Sequence, residues 1–394
     1  MNAPLFISRR LRFRNSIAMT AIAISYLVMI IAVAVSSGFR TEIRNELSGI
    51  SGDVQLTPPN LNVLDNSRPI ESDASYIPEL QKTDAVEAII PVVYRAGIIK
   101  QDDNIHGVLF KGLPKDDVRR NWADSLSLAV SVPSRLSEIT GLSQGDRMTA
   151  YFIGEKMNVR RFNVVQVYES LVEADDKIVV YAAAEDLQRL EGWAPNQVSA
   201  IEIILDDNHK SEEAIRMAAQ QIGAKVNVYS AESDAPVVAT SSVSRYSQLF
   251  DWLSLIDLNV LVILTLMTVV AGFNMISSLL IFLFENISTI GLLKSLGMTD
   301  RGISTAFLAR SSVLVLKGMG IGNVLAFLLC IIQDRTHLLK LDPANYFVSF
   351  VPVDINFPMV LAADAVSFVV IMLLLLVPTL FISKVDPART VRVR

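Results

Sequence analysis

Gly318, Gly320 and Gly322 stand in the run KGMGIG, a spacing that in a nucleotide-binding loop brings backbone amides onto phosphate. Here no strand precedes the run, and apolar residues surround it. Small residues that let two helices approach closely are the stronger reading. His106, His209 and His337 are far apart and lack metal-ligand spacing, so they read as surface or loop histidines. The acid pairs Asp102-Asp103, Asp175-Asp176 and Asp206-Asp207 fall beside expected turns, where solvated residues are commoner than a catalytic carboxylate pair. No GxxxxGK(S/T), HExxH, CxxC or GxSxG pattern occurs. The one cysteine, Cys330, rules out an intramolecular disulfide, an N-terminal lipobox and a cysteine metal cluster. The expectation is a chain that catalyses nothing and carries no cofactor or metal residues of its own.

A different pattern lies between Glu285 and Asp300, ENISTIGLLKSLGMTD. Ile290, Leu293 and Gly297 fall near one helical face, and Ile287 extends it. Glu285 at the start and Lys294 further along suit the helix dipole. A short helix with such a stripe serves either as an interfacial anchor or as a knob seated in a partner's groove.

The elements around this loop are apolar. Of 394 residues, 51% are hydrophobic and 19% charged, which favours a membrane class. Membrane-spanning helices are expected at 17–36, 256–284, 305–332 and 358–382, each near the roughly 20 residues a span requires. Asp257, Lys317 and Asp364 are ionisable residues in or beside these spans and mark a pathway or a paired site. Asp257 and Lys317 stand within snorkelling reach of water, whereas the sequence names no partner for Asp364.

Arg9, Arg10, Arg12 and Arg14 precede the first span, and Lys384, Arg389, Arg392 and Arg394 follow the last. This bias places 1–16 and 383–394 in the cytoplasm, which an even number of spans allows. Ser37 to Phe250 carries 21 basic and 31 acidic residues, so the large polar stretch is acidic and argues against nucleic acid as a partner. The first apolar stretch is longer than a signal-peptide core and runs into a polar helical pattern without a clear cleavage site. It is expected to remain as a span.

Between the first two spans, Gly38–Leu47 continues as an amphipathic helix with Phe39, Ile43 and Leu47 on one face. Period-two patterning then predicts strands at Asp53–Thr57, Val86–Val93, Ala96–Lys100 and Gly107–Lys111, with a short helix at Tyr76–Lys82. Arg147–Ile153, Arg160–Tyr168 and Lys177–Tyr181 make a second β-rich stretch. Ser199–Leu205, a helix at Ser211–Gln221 and a strand at Val226–Tyr229 make a β-α-β unit. The fold class is thus membrane α plus a large α+β domain, with a β-rich lobe inserted in it.

Five stretches carry a resemblance. Glu285, Ile290, Gly291, Leu293, Lys294, Leu296 and Gly297 resemble the ERxxEIGILKALGA loop of the FtsX/MacB superfamily of ABC transporter permeases, with Asn286 and Thr289 where that pattern has Arg and Glu. Ser37–Arg44 and Leu136–Tyr151 are similar to the superfamily's NGFxxE and LGLxxGD segments. Leu341–Tyr346 with Val351–Val353 resembles the LDPxxY…xP(I/V) loop of LolC/LolE-type lipoprotein-releasing permeases, and Asp386–Arg392 resembles their C-terminal tail. MacB-type exporters carry a fused N-terminal ATPase, which is not expected for this chain, and the outer domain is longer than in cell-division FtsX proteins. The LolC/LolE-type reading is the one that remains.

The resemblance implies a permease of the bacterial inner membrane, multi-pass, with both termini cytoplasmic. A Porter-like part would occupy 50–125 and 196–240 of a periplasmic domain at 37–250, and a Sabre-like insert 126–195. The 285–304 loop would be the cytoplasmic coupling loop, and 333–357 would be periplasmic. ATP would be bound by a separate ATPase subunit docked on Glu285, Ile287, Ile290, Gly291, Leu293, Lys294, Leu296 and Gly297. A second permease copy or paralogue, membrane lipid and a periplasmic lipoprotein carrier are the other partners implied. The function implied is ATP-driven release of lipoproteins. Regulation of a periplasmic enzyme by the same mechanical coupling, and export of small molecules or peptides, stay open beside it.

Overall fold

The structure, a computed structural model, describes residues 16–59, 61, 68–101, 104–120, 122, 127–153, 157–168, 178–342, 346 and 348–384. The terminal arginines at 9–14 and 389–394, Asp102-Asp103, Asp175-Asp176, Pro343–Asn345 and the Asp386–Arg392 tail lie outside the described residues. In chain order the elements begin with α1 (Ser16–Ser51), β1 (Val54–Thr57), β2 (Ile70–Glu71), α2 (Ile77–Gln81), β3 (Val86–Gln101) and β4 (Asn104–Leu113). Next come β5 (Ala129–Pro133), α3 (Ser134–Thr140), β6 (Arg147–Phe152), β7 (Asn158–Tyr168), β8 (Ile178–Ala183) and α4 (Ala184–Glu191). Then follow β9 (Gln197–Val198), β10 (Ala200–Leu205), α5 (Glu212–Tyr229), β11 (Val238–Ser241), α6 (Ser247–Glu285), α7 (Ile287–Ser295), α8 (Asp300–Thr336) and α9 (Phe357–Leu374). They form two compact units. One comprises Met1–Thr41, Trp252–Lys340 and Phe350–Arg394; the other comprises Glu42–Asp251 and Leu341–Ser349.

The first unit is helical. Its α1, α6, α8 and the Phe357–Ile382 stretch are long and apolar enough to cross a membrane. At 1.5 Å rise per residue, the 36 residues of α1 reach about 54 Å, well beyond a hydrocarbon core of about 30 Å. The helix does not stop at Ser36-Ser37-Gly38, because Phe39, Ile43 and Leu47 keep one face buried to its end. Inward-facing Ile22, Tyr26, Met275, Leu279, Phe307, Val315 and Ile371 share one apolar cluster. A second joins Ile30 and Val33 of α1 to Val260, Ala326 and Val360. Outward, Leu261, Val262, Leu266 and Phe273 of α6 and Leu361 and Val366 of α9 are exposed. A water-soluble bundle would not leave such faces bare, and a lipid environment covers them.

The second unit is α+β. β3 is the strand that organises it. Its first half, Val86–Val92, pairs antiparallel with β10, which pairs with β1 and through it with β11. Its second half, Val93–Gln101, pairs with β4. From β4 the sheet runs to β8, β5, β7 and β6, and β6 returns to β3 at Ile98 and Ile99. These six strands close into a barrel, which removes free sheet edges. Phe110, Phe152 and Phe162 fill it, with ring centroids 5.0, 5.1 and 6.2 Å apart.

Residues 129–183 therefore make no sheet of their own; the inserted lobe is completed by β3 and β4. A second correction concerns Val226–Tyr229, which is the last turn of α5 and not a strand. Ile215, Ala219, Ile222 and Val226 carry one buried stripe past Gly223, and that burial outweighs the short Val-Asn-Val alternation. The strand that follows α5 is β11, which alternation did not reveal.

Candidate functional site

The loop between α6 and α8 folds as a helix in its own right. α6 ends at Glu285, and Asn286 leaves helical geometry at φ −106°, ψ 19°. The Asn286 amide donates to the Phe282 carbonyl at 2.9 Å. At the far end Gly297 takes φ +88°. The Met298 N–H donates to Leu293 O and the Gly297 N–H to Lys294 O, both at 3.0 Å. That pair of bonds is a Schellman motif, which needs a residue tolerant of positive φ. Thr299 then caps α8 by accepting from the Gly302 N–H. Lys294, in the last turn where it complements the dipole, also pairs with Asp300 at 2.9 Å.

The helix has two faces. Ile290 and Gly291 are buried, and Ile287 and Leu293 pack half-buried on the cluster of Phe282, Ile303 and Phe307. Glu285, Leu296 and Gly297 are exposed, Leu296 by 75%. Leu292, absent from the residues singled out in the sequence, is 54% exposed. Ser288, Leu292, Ser295 and Leu296 recur at i, i+4, i+7 and i+8 on the free side. The turn-by-turn wheel opposite Ile287–Ile290–Gly291–Lys294 is the signal that would have found them.

Gly318 and Gly322 pack α8 on α1. A Cβ at Gly322 would lie 2.5 Å from the Ala23 carbonyl oxygen, and one at Gly318 would lie 2.7 Å from Ile22 Cγ2. Gly320 does not belong with them: a Cβ there meets nothing within 4 Å. Two residues along a helix turn by about 200°, so the third glycine points away. Asp257 on α6 accepts from Ser36 Oγ at 2.7 Å and from the Arg40 guanidinium, both on α1. Lys317 is exposed on α8, and Asp364 on α9 is buried and takes a hydrogen bond from Asn323.

In the α+β unit the C-terminal end of α1 meets a buried charge network that no sequence motif announces. Lys111 on β4 is fully buried, and its ammonium lies 2.7 Å from Glu202 on β10. It also donates to the Gly49 and Ile50 carbonyls at 3.3 and 2.7 Å, the free carbonyls of the last α1 turn. Arg119 donates to Gly49 O, sits 3.6 Å from Glu202 and pairs with Asp117. Tyr94 donates to Glu202, and Gln55 donates to the Tyr94 oxygen at 3.0 Å. Two cations thus cap a helix C-terminus, the end its dipole makes negative. Burial pulls the Lys111 ammonium down to about 8 despite Glu202, and burial followed by the Glu202 charge pushes the Tyr94 hydroxyl well up.

No group of three or more His, Cys, Asp or Glu able to hold a metal occurs among the described residues. His209 turns on Asp206, whose carboxyl that contact holds below its ordinary value, and His337 stacks on Phe350 at 4.0 Å.

Residues 261–387 match the family described as FtsX-like permease C-terminal. The lipoprotein-releasing system transmembrane protein LolC of Neisseria meningitidis serogroup B is 22% identical, over 96% of this chain and 94% of that protein. LolC of Xylella fastidiosa (strain 9a5c) is also 22% identical, over 98% of this chain and 95% of that protein. Among solved structures, the periplasmic region of MacB from Actinobacillus actinomycetemcomitans is 14% identical with a TM-score of 0.32. It covers 50% of this chain and 91% of that one.

Proposed function

We propose that this FtsX-family ABC transporter permease, LolC-like over nearly its whole length, transmits force from a cytoplasmic ATPase to a periplasmic α+β domain and so releases lipoproteins from the inner membrane. The observation that carries the reading is the built helix α7, rooted by Ile287, Ile290 and Leu293 and capped by Gly297, with Leu292 and Leu296 left free. A rooted helix with a free apolar stripe is suited to enter a partner's groove and push on the spans beside it. In this reading the spans are arranged one before and three after the α+β domain, and both termini are cytoplasmic. ATP is bound and hydrolysed by the partner, and a second permease completes the pair. The cargo in this reading is supported by the lipoprotein-releasing LolC relatives at 22% identity.

The test uses the free face. Leu292→Asp and Leu296→Asp should abolish copurification of the ATPase while the chain still inserts and folds. Retained ATPase binding in both variants would overturn the docking role. Gly291→Asp and Leu293→Asp are poor probes, because those residues face the bundle and their loss damages the fold itself.

A second reading, mechanical regulation of a periplasmic enzyme, is favoured by one feature. α1 and α6 pack directly through Ile30, Val33, Ile256, Val260 and Leu264, and Asp257 ties to Ser36 and Arg40. An acyl chain passing between them requires that contact to part. ATP-dependent lipoprotein release from proteoliposomes decides: release supports the permease reading, and its absence with ATPase docked supports regulation.

A further inference from the structure

Asp364 stands about two turns into α9, in an apolar stretch, and is 7% exposed. Among the described residues it forms no ion pair. The Asn323 side-chain N–H on α8 donates to one carboxyl oxygen, Oδ2, at 2.6 Å. The other carboxyl oxygen, Oδ1, is buried without a hydrogen-bond partner, and so is the amide oxygen of Asn323. Two planar groups thus share one hydrogen bond while their remaining oxygens, both acceptors, go unserved. Two buried acceptors cannot satisfy each other. One proton on Asp364 Oδ1 repairs both at once: the acid O–H donates to the amide oxygen, and the amide N–H already donates to the acid carbonyl. The result is a closed acid–amide ring with no net charge.

We propose that Asp364 is a proton-binding site within the span, held as a neutral acid by Asn323 and tying α9 to α8. The step takes one proton from solvent onto Oδ1 and breaks no bond. Nearby groups do not do the same work. Ser367 spends its hydroxyl proton on the Ala363 carbonyl at 2.6 Å. Tyr26 on α1, buried with its hydroxyl beside Ser367, is the titratable group set beside the pair. A carboxylate left ionised there would face lipid-depth surroundings with one amide hydrogen bond and no cation, an expensive arrangement. Loss of the proton would set two bare acceptors against each other and loosen the α8–α9 contact.

The experiment is infrared spectroscopy of the full-length chain in lipid nanodiscs at neutral pH, with aspartate carbon-13 labelled at the side-chain carboxyl. Wild type should show a protonated-carboxyl carbonyl stretch that shifts in heavy water. The band should be lost in Asp364→Asn and kept in Tyr26→Phe. Any protonated band from Asp53, which is also buried, would survive Asp364→Asn and so serves as an internal reference. Asp364→Asn should fold like wild type, because an amide–amide pair rebuilds the ring without a proton. Asn323→Leu should lower the melting temperature. Three results would overturn the proposal: only ionised carboxylate at this position, a band that disappears in Tyr26→Phe, or a signal that appears only when sodium is withdrawn. The last would make the occupant a metal cation instead.

Discussion

Lys111 buries a full positive charge beside Glu202 while capping the last carbonyls of α1, so its worth depends on its partners. Removing one member of a buried pair strands the other, typically at about 3–5 kcal/mol, whereas replacing both by apolar residues is often near neutral. Lys111→Met should therefore cost about 3 kcal/mol, the lower bound because Arg119 still faces Glu202. Lys111→Met/Glu202→Met should recover most of it, read by denaturant unfolding of the full chain in detergent. The pH dependence has a definite sign. The folded-state value of about 8 lies below the ordinary 10.5, so between these limits the unfolded chain binds more protons. Stability from this group alone then rises with pH from about 8 to about 10.5 and is flat below. That rise should be absent in the double variant. Glycines supply a contrast at the same scale. Gly322→Val should cost about 1–3 kcal/mol by overpacking against the Ala23 backbone, while Gly320→Ala should be neutral or favourable by up to about 1 kcal/mol. Thermal unfolding of each single variant checks the pair.

At the scale of elements, α7 depends on its C-terminal cap. Gly297→Val forces a β-branched residue to φ +88° and should cost about 1–2 kcal/mol locally. The expected readout is faster hydrogen exchange across Ile290–Ser295, with α8 unaffected. Much of this layer was legible. Apolar periodicity carried α1 through Gly38, and alternation located β1, β4, β6, β7, β8 and β10, whereas Val86–Val93 and Ala96–Lys100 read as two strands and are one, β3. The misses arise where burial or distant pairing outweighed the local pattern. Val226 reads locally as strand and is helical because its stripe continues from Ile222. Barrel closure needs β4 beside β8 and β5 beside β7, parallel pairings between segments far apart in sequence that leave no local trace. In the loop the inward frame was legible from spacing. The outward Leu292 was not, because an exposed leucine beside a membrane span looks like one that faces lipid.

For the whole molecule, two helices matter most. α1 and α6 each run unbroken from apolar into polar sequence, over 36 and 39 residues, and are long enough to reach past a bilayer core. On the proposed reading they carry displacement from α7 outward, and the Lys111–Arg119–Glu202 cap is where α1 grips the α+β domain. Breaking that grip should uncouple without silencing. Arg119→Ala/Lys111→Met/Glu202→Met should keep ATPase docking and turnover but lower cargo release several-fold. The most direct measurement is lipoprotein released per ATP hydrolysed in proteoliposomes holding the chain with its ATPase, for wild type, the grip variant and Leu292→Asp/Leu296→Asp. The expected result is a normal ratio in wild type, a reduced ratio with sustained hydrolysis in the grip variant, and loss of release with loss of docking in the loop variant. An unchanged ratio and rate in the loop variant would contradict force entry through α7.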